Sequence, residues 1–237
     1  MIARKTAAAG LIGILIGGAA VALIGFQLGQ GGADKQRIEA VVRDYVLANP
    51  EIIPQAMERL QAREAGKAVA ANRAAFETPF AGAWAGAEDG DVVLVELFDY
   101  ACGFCRKSNA DIDRLLAEDP KLKVVWRELP VLGQDSANAA QASLAAAKQG
   151  KFRQFYNALF ASGRPTPPNI AAALKASGVQ PSPVSPDMRQ ELEKNYELAR
   201  AVGANGTPTF IVGDKVFQGA VGYEALKQAI AEARSRA

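Results

Sequence analysis

The stretch VVLVELFDYACGFCRKSNA, residues Val92 to Ala110, carries the strongest structural signal in the chain and raises a question about chemistry. Six apolar side chains between Val92 and Phe98 predict a buried strand, and the residues after Ala101 predict a helix. Glu96 lies among these apolar residues, six positions before the first of only two cysteines, Cys102. Burying a carboxylate in an apolar strand costs free energy, so we expect Glu96 to have a chemical role that explains its position.

The elements around this stretch predict an α/β domain over residues 88–237. A strand over 91–98, a helix over 102–118 and a strand over 122–128 form a βαβ unit with a parallel pair. An Ala-rich helical insertion follows over about residues 134–203. Two short strands, Thr209–Val212 and Lys215–Gln218, on either side of Gly213-Asp214 and a last helix over Tyr223–Ala233 complete the order βαβ, helical insertion, ββα. The Gly-, Ala- and acid-rich residues 80–90 predict a linker ahead of this domain.

The N-terminus predicts export. Arg4 and Lys5 precede an uncharged, apolar run from Thr6 to Leu28, long enough as a helix (about 35 Å) to cross a bilayer of about 30 Å. Residues 1–29 are therefore interpreted as a membrane anchor or, through the A-x-A site at Ala20–Ala22, as a cleaved signal peptide. By the positive-inside rule the body lies outside the cytoplasm, periplasmic and tethered if the segment is retained. The net charge of +2 and the absence of basic clusters argue against a nucleic-acid partner.

Residues 34–77 predict a helical region that cannot close a core alone. Its first helix carries an apolar stripe at three-to-four spacing, and Asn49-Pro50 ends that helix and starts the next. The stripe can pack on the chain's own domain or mediate self-association, and we favour a homo-oligomer. The stripe consists of Ile38, Val41, Val42 and Tyr45.

Cys102-Gly103-Phe104-Cys105 carries the predicted chemistry. A cysteine at a helix N-terminus meets unpaired N–H groups that stabilise its thiolate, so Cys102 is the predicted nucleophile and Cys105, one turn deeper, the resolving thiol. Zinc needs about four ligands and is disfavoured in a chain with two cysteines and no histidine. Bound Cu(I) and a purely structural disulfide remain as alternatives. No metal or other cofactor is required.

Glu96 has a predicted role beneath the two cysteines. There its carboxylate can take the proton of Cys105 and return it later, and burial raises its pKa toward the range suited to that task. Alternatively, Glu96 points outward to water or to Lys123. Thr207-Pro208 stands at the entrance of a strand, where Thr207 would expose its backbone to an incoming chain; base rates alone favour a trans bond there.

The order of these motifs resembles the DsbA-like branch of the thioredoxin superfamily. The resemblance implies a thioredoxin fold, a buried acid at Glu96, a cis bond at Pro208 and substrate contacts from Gly103, Phe104, Thr207 and Pro208. Residues 38–58 are similar to the N-terminal helices of ScsC-type members, which implies oligomerisation through residues 34–77. The implied activity is thiol–disulfide exchange on exported proteins that carry thiols or disulfides, together with a membrane redox partner that the sequence does not identify.

One departure from the family concerns direction. Strongly oxidising members carry histidine between the cysteines, where this chain has Phe104. Without that donor the Cys102 thiolate is less stabilised, which predicts a weaker oxidant. Gly-aromatic between the cysteines and threonine before the proline resemble the isomerase members, so oxidase and isomerase stay open. A further alternative is an oligomeric module that holds unfolded chains, or a copper-tolerance protein.

Overall fold

A computed structural model describes residues 34–236 in two units, which divide between Arg59 and Leu60. The predicted anchor or signal segment, residues 1–29, lies outside the described residues. Within the described part, no helix combines the length and the apolar character needed to cross a membrane.

The first unit consists of a helix over residues 34–48 (α1) and the start of α2, Ile52–Ala71. Asn49 ends α1: its backbone N–H and its side-chain amide both donate to the carbonyl oxygen of Tyr45, at 2.9 and 2.8 Å. The predicted break at Asn49-Pro50 is confirmed. The apolar stripe of α1 is exposed, with Ile38, Val41 and Tyr45 each at least 60% accessible.

The second unit is built on a five-stranded mixed sheet in the order β1-β3-β2-β4-β5. Only β2 and β3 run parallel, while β1, β4 and β5 pair antiparallel with their neighbours. The strands are β1 Trp84–Gly86, β2 Val92–Phe98, β3 Leu122–Glu128, β4 Thr209–Val212 and β5 Lys215–Gln218. This is the expected thioredoxin-like arrangement, in which a parallel βα unit and an antiparallel hairpin share one sheet.

Seven further helices surround the sheet. They are α3 Arg73–Glu77, α4 Gly103–Glu118, α5 Gln134–Lys148, α6 Phe152–Ala161, α7 Pro167–Ser177, α8 Pro186–Ala201 and α9 Tyr223–Arg234. The helices α5 to α8 form the predicted insertion between the two parts of the sheet. The α/β fold with its helical insertion and its N-terminal helical region is thus confirmed.

Both faces of the sheet are covered, which explains why β2 is apolar almost throughout. Leu94 and Phe98 pack in the larger core with side chains of α4, α5, α6 and α9. Val95 packs on the opposite face with residues of α2, α3 and α8. Glu96 has the same parity as Leu94 and Phe98, so the alternation of the strand directs it into the larger core.

A buried arginine ties α3 to the sheet and to α8. Arg127, fully buried at the end of β3, donates from Nε to the carbonyl oxygen of Phe76 at 2.9 Å. Its guanidinium also bonds the carbonyl oxygens of Ala75 and Thr78, and Glu191 Oε1 at 2.6 Å. Carbonyl groups at a helix C-terminus lack intrahelical donors, so the Arg127 side chain supplies the hydrogen-bond donors that the end of α3 lacks.

The prediction of a linker over residues 80–90 was wrong, because this segment contains the edge strand β1. Trp84 pairs with Val125 and Gly86 with Lys123 on β3, so the sheet begins before the domain boundary predicted at residue 88. Gly86 has φ of 90°, and a side chain there would collide with the carbonyl oxygen of Leu122. Gly86, which the sequence predicted to be a linker residue, is therefore required for the close packing of β1 against β3.

Candidate active site

Cys102 occupies the N-cap of α4, in the turn that leaves β2. Asp99 holds this turn: its Oδ1 accepts from the N–H of Ala101 at 2.8 Å, and its Oδ2 accepts from Val131 and Leu132 at 2.9 and 3.0 Å. The carboxylate of Asp99, fully buried, thus fixes the cysteine turn against the loop that follows β3.

The Cys102 sulfur lies where the helix presents unpaired N–H groups. The N–H of Cys105 donates to Cys102 Sγ at 3.4 Å. A hydrogen bond from the Cys105 thiol, aided by the N–H groups of Cys105 and Phe104, lowers the pKa of Cys102 to about 5, although partial burial opposes the shift. At neutral pH the geometry therefore favours a thiolate, the nucleophilic form of cysteine.

Cys105 has the opposite environment one turn deeper. Its side chain is completely buried, and both cysteines are free thiols in the structure. Burial raises the pKa of the Cys105 thiol, and its hydrogen bond to Cys102 and the nearby Glu96 carboxylate raise it further. The two sulfurs differ in ionisation although only two residues separate them, so they are suited to different steps.

Glu96 is completely buried and does not point outward, so the alternative of an outward side chain paired with Lys123 was wrong. Lys123 instead bonds the carbonyl oxygen of Glu88 at 3.0 Å. Burial raises the pKa of Glu96 to about 8, with a smaller contribution from the Cys102 charge, while Trp126 and Tyr156 favour the ionised form. A carboxyl group that titrates near neutral pH can both accept and return a proton.

Thr207 and Pro208 meet the cysteine turn from the start of β4. The Thr207–Pro208 peptide bond is cis, as the resemblance implied and contrary to the trans bond that base rates favour. The Cys102 sulfur lies 3.1 Å from the carbonyl oxygen of Thr207, to which it donates a hydrogen bond while it is protonated. The fold therefore brings Cys102, Cys105, Glu96 and Thr207-Pro208 together in one site.

Exposed apolar side chains lie in the cysteine turn and in the loop that Asp99 joins to it. Phe104 is 66% accessible, and Val131 and Leu132 are about half exposed in the loop held by Asp99. Gly103 is also exposed at the first position of α4. Beside them lies an open cavity of about 280 Å³ that is lined mainly by Leu129, Val131, Tyr196, Ala199, Ala204 and Gly206.

Three polar residues at the site were not predicted from the sequence. Tyr156 on α6 places its hydroxyl 3.3 Å from Glu96 Oε2 and 2.6 Å from Oδ1 of Asn109 on α4. Glu128, at the end of β3, is a second buried carboxyl group, and burial raises its pKa well above the usual range. A lone tyrosine in an aromatic, helical segment carries no signal of such a contact, and Glu128 could have been noticed only as an acid in a buried strand.

Comparison with known proteins assigns both parts of the chain. Residues 93–231 match the family described as DSBA-like thioredoxin domain. Residues 34–67 match the family described as Copper resistance protein ScsC N-terminal domain. Among residues 34–236, no cluster of three or more acidic or cysteine side chains could hold a metal ion.

Solved structures similar to this chain include a linker-deletion mutant of ScsC from Proteus mirabilis. It is 29% identical, with a TM-score of 0.73, over 86% of this chain and 97% of that one. A thioredoxin-like oxidoreductase from Silicibacter pomeroyi is 35% identical, with a TM-score of 0.65, over 68% of this chain and 96% of that one.

Curated relatives include Disulfide bond formation protein D of Bacillus subtilis, which is 27% identical over 163 residues, 61% of this chain and 73% of that protein. Other relatives are longer. The chain spans about a quarter (24%) of the Na(+)/H(+) antiporter NhaA 3 of Salinispora tropica, to which it is 28% identical over 156 residues, 62% of this chain.

Proposed function

This chain belongs to the family of DSBA-like thioredoxin domains, and on that premise we propose that it forms or isomerises disulfide bonds in exported proteins through Cys102 and Cys105. The family is one of thiol–disulfide oxidoreductases, which supports a redox role of that class. The direction of the reaction, the residues that carry it and the partners are part of the proposal.

The observation that carries the proposal is the asymmetry between the two sulfurs. Cys102 lies at the helix N-terminus with its pKa lowered to about 5, and Cys105 is buried with its pKa raised. The Cys102 thiolate attacks a substrate disulfide, a mixed disulfide forms, and one substrate sulfur leaves as a thiolate. A structural disulfide would not need two thiols with such different acidities.

The resolving step uses Cys105 and Glu96. Glu96 takes the proton of Cys105, whose sulfur then attacks Cys102 and releases the second substrate thiolate. A Cys102–Cys105 disulfide forms, and the substrate gains two electrons. Oxidation of a substrate dithiol is the reverse sequence. In isomerisation a substrate thiolate releases Cys102 directly, and there is no net transfer of electrons.

Substrate contacts are proposed for the apolar rim and the cis-proline turn. Phe104, Val131 and Leu132 are exposed where an unfolded client would approach Cys102, and the neighbouring cavity is mainly apolar. Exposed apolar groups of this kind mark interaction surfaces. Thr207 would align the client backbone beside Pro208 once its carbonyl oxygen no longer bonds the Cys102 thiol. No cofactor beyond the two cysteines is needed.

Reaction direction depends on the redox poise of the pair. The side chain of Phe104, unlike a histidine, has no hydrogen-bond donor for the Cys102 sulfur, which favours a weaker oxidant and hence isomerisation. The lowered pKa of Cys102 acts in the other direction, because a stabilised thiolate makes the disulfide easier to reduce. A membrane redox partner would keep the pair oxidised or reduced, and the similarity to ScsC and DsbA-like proteins supports a periplasmic location.

A matched pair of variants tests the redox role. Cys102→Ser is expected to abolish reduction of a disulfide-bonded substrate and refolding of a scrambled one. Cys105→Ser keeps the nucleophile, so it is expected to accumulate mixed disulfides that run as a covalent complex on non-reducing gels. Retained activity in Cys102→Ser would overturn the proposal.

Self-association is proposed through residues 34–77, because α1 exposes an apolar stripe and its region matches the ScsC N-terminal family. Val41→Glu places a charge on the stripe and is expected to reduce the mass measured by light scattering to that of a monomer. Arg43→Glu introduces the same side chain on the opposite face of α1 and is expected to leave the mass unchanged. A monomeric parent protein would contradict the proposal.

The exposed stripe also supports a second candidate, an oligomeric module that holds unfolded chains without redox chemistry. In that case Cys102→Ser would keep its protection of an unfolded client from aggregation, whereas Val41→Glu would lose it. The redox proposal predicts that disulfide exchange depends on Cys102 whatever the effect on aggregation.

A further inference from the structure

The two oxygens of Glu96 have different surroundings. Oε2 lies 3.3 Å from the hydroxyl of Tyr156, whereas Oε1 has no hydrogen-bond partner among the described residues. The indole Nε1 of Trp126, which faces Glu96 across the strand register, also lacks a partner within hydrogen-bond geometry. Buried polar atoms are nearly always paired, so a free oxygen on a buried carboxyl group calls for an explanation.

Tyr156 has two possible acceptors and one proton. Its hydroxyl lies 2.6 Å from Asn109 Oδ1 and 3.3 Å from Glu96 Oε2. A tyrosine hydroxyl donates one hydrogen bond, so only one of these oxygens receives it at a time. The shorter distance favours Asn109, as expected when the carboxyl group of Glu96 is protonated and therefore a weak acceptor.

The elements that carry these groups also carry the thiol. Cys105 and Asn109 are four residues apart on α4 and so lie on one face of that helix. Tyr156 reaches the same place from α6, and Glu96 from β2. One helix therefore supplies both the thiol that loses a proton and the amide that competes for the tyrosine hydroxyl.

We propose that Tyr156 and Asn109 form a hydrogen-bond switch that positions Glu96 for proton exchange with Cys105. Tyr156 holds Oε2 while the carboxylate is ionised, and Oε1 is the atom that receives the thiol proton. When Oε1 is protonated, the tyrosine proton turns to Asn109. The change needs only a rotation of the hydroxyl, and Tyr156 is a positioning residue rather than one that touches the substrate. The switch rests on the proposed function of the cysteine pair.

The resolving step transfers one proton and exchanges one S–S bond for another. The proton of Cys105 moves to Glu96 Oε1, and the electron pair on the Cys105 sulfur forms a bond to the Cys102 sulfur of a mixed disulfide. The bond between Cys102 and the substrate sulfur breaks, and the substrate leaves as a thiolate. Tyr156 stabilises the ionised Glu96 before this step and releases it afterwards.

Other groups also act on Glu96. Burial raises its pKa to about 8, and the indole N–H of Trp126 and then the Tyr156 hydroxyl oppose that rise. Several titratable and charged groups face Glu96 from the elements around it. They are Tyr100 in the turn after β2, Cys102 at the N-cap of α4, Cys105 on α4, Glu128 at the end of β3, and Arg153 and Tyr156 on α6. Arg153 is paired with Asp113 at 2.6 Å. Two neutral donors remain, the indole N–H of Trp126 and the hydroxyl of Tyr156, and of these the hydroxyl has a second acceptor, Asn109, to which it can turn.

The test compares variants of the full chain in its reduced form, by following the carboxyl absorption band of Glu96 in infrared spectra across pH. Tyr156→Phe removes the donor and is expected to increase the proton affinity of Glu96 about tenfold, since a hydrogen bond to a charged group has that magnitude. Asn109→Leu removes the competing acceptor and is expected to lower the affinity. Tyr100→Phe loses another buried hydroxyl, which bonds Ser143 rather than Glu96, and is expected to leave the proton affinity of Glu96 unchanged.

Kinetics provide a second readout. In Tyr156→Phe the pH profile of the resolving step is expected to move upward by about one pH unit with the same plateau. Equal shifts in Tyr156→Phe and Tyr100→Phe would overturn the switch, because they would reflect a general loss of packing. The infrared titration needs no substrate. If Tyr156→Phe leaves the titration of Glu96 unchanged while the protein exchanges disulfides, the switch is refuted and the proposed function stands. If the titration shifts as expected but the protein has no exchange activity, the proposed function is refuted.

Discussion

The sulfur of Cys102 accepts a hydrogen bond from the N–H of Cys105 at 3.4 Å. The N–H groups in the first turn of a helix have no intrahelical acceptor, so they favour an anion at the N-cap. In the proposed mechanism the same residue therefore supplies both the donor that stabilises the Cys102 sulfur and the thiol that attacks it.

The first prediction concerns the ionisation of Cys102. Since its pKa is lowered to about 5, alkylation of the reduced protein is expected to reach half its maximal rate near pH 5, against about pH 8.5 for free cysteine. Cys105→Ala removes the side-chain hydrogen-bond donor that contributes most to the shift and should move this midpoint upward. A midpoint for the parent protein near that of free cysteine would contradict the proposed nucleophile.

The second prediction concerns the pH dependence of the resolving step. Glu96 accepts a proton only when it is ionised, so with a pKa of about 8 the rate should rise with pH below 8 and level off above it. Glu96→Gln is expected to slow this step about 100-fold and to remove the inflection. Glu128→Gln changes another buried carboxyl group at the same end of the sheet and serves as the control. Rapid-quench measurement of mixed-disulfide decay distinguishes the two.

The third prediction concerns stability. The pKa of Glu96 is raised from an ordinary value of 4.5 to about 8 in the folded protein, so the folded state binds more protons between these values. Its contribution to stability is complete below about pH 4.5 and is lost as the pH rises toward 8. Relative to Glu96→Gln, the parent protein should lose about 3 kcal/mol of unfolding free energy between pH 4.5 and 7.

Urea unfolding of the oxidised proteins measures this difference, because no thiol then titrates. Only the change of the difference with pH is diagnostic, since the substitution also alters hydrogen bonds at every pH. Parallel curves for the two proteins would show that Glu96 titrates normally.

The fourth prediction concerns Arg127. Arg127→Leu leaves Glu191 and the carbonyl oxygens at the end of α3 without their buried donor, and is expected to lower the unfolding free energy by about 3–5 kcal/mol. Adding Glu191→Leu removes a carboxylate that would keep only Lys194, at 3.4 Å, as an ionic partner, and should recover part of the loss. Arg127→Lys keeps the charge but not the planar fork, so an intermediate loss is expected. Unfolding curves that do not distinguish the single from the double variant would show that the ion pair contributes nothing.

The fifth prediction concerns Phe104. Phe104→His introduces a donor beside the Cys102 sulfur and should stabilise the thiolate, which raises the reduction potential by about 30 mV for one hydrogen bond to a charged group. Phe104→Leu removes the ring without adding a donor and should leave the potential near that of the parent. Equilibration with glutathione buffers measures all three proteins. A potential for Phe104→His equal to that of Phe104→Leu would remove the argument from the missing histidine.

Sequence patterns predicted the elements that depend on local chemistry. The strand Leu122–Glu128 and the hairpin strands Thr209–Val212 and Lys215–Gln218 have the predicted bounds, because apolar alternation and turn residues act within a few positions. The helix after β2 begins one residue later than predicted, which leaves Cys102 at the N-cap. The short strand β1 was missed, since its three residues become a strand only by pairing with β3.

Local sequence patterns thus specify the order of the elements, the position of Cys102 at a helix start and the presence of an acid in a buried strand. Which groups meet depends instead on the folded chain, which brings Thr207 to Cys102, 105 positions away, and Tyr156 to Glu96, 60 positions away. Helix starts and strand alternation follow from the backbone geometry of neighbouring residues. Contacts between distant residues follow from the packing of whole helices on the sheet, which no short pattern records.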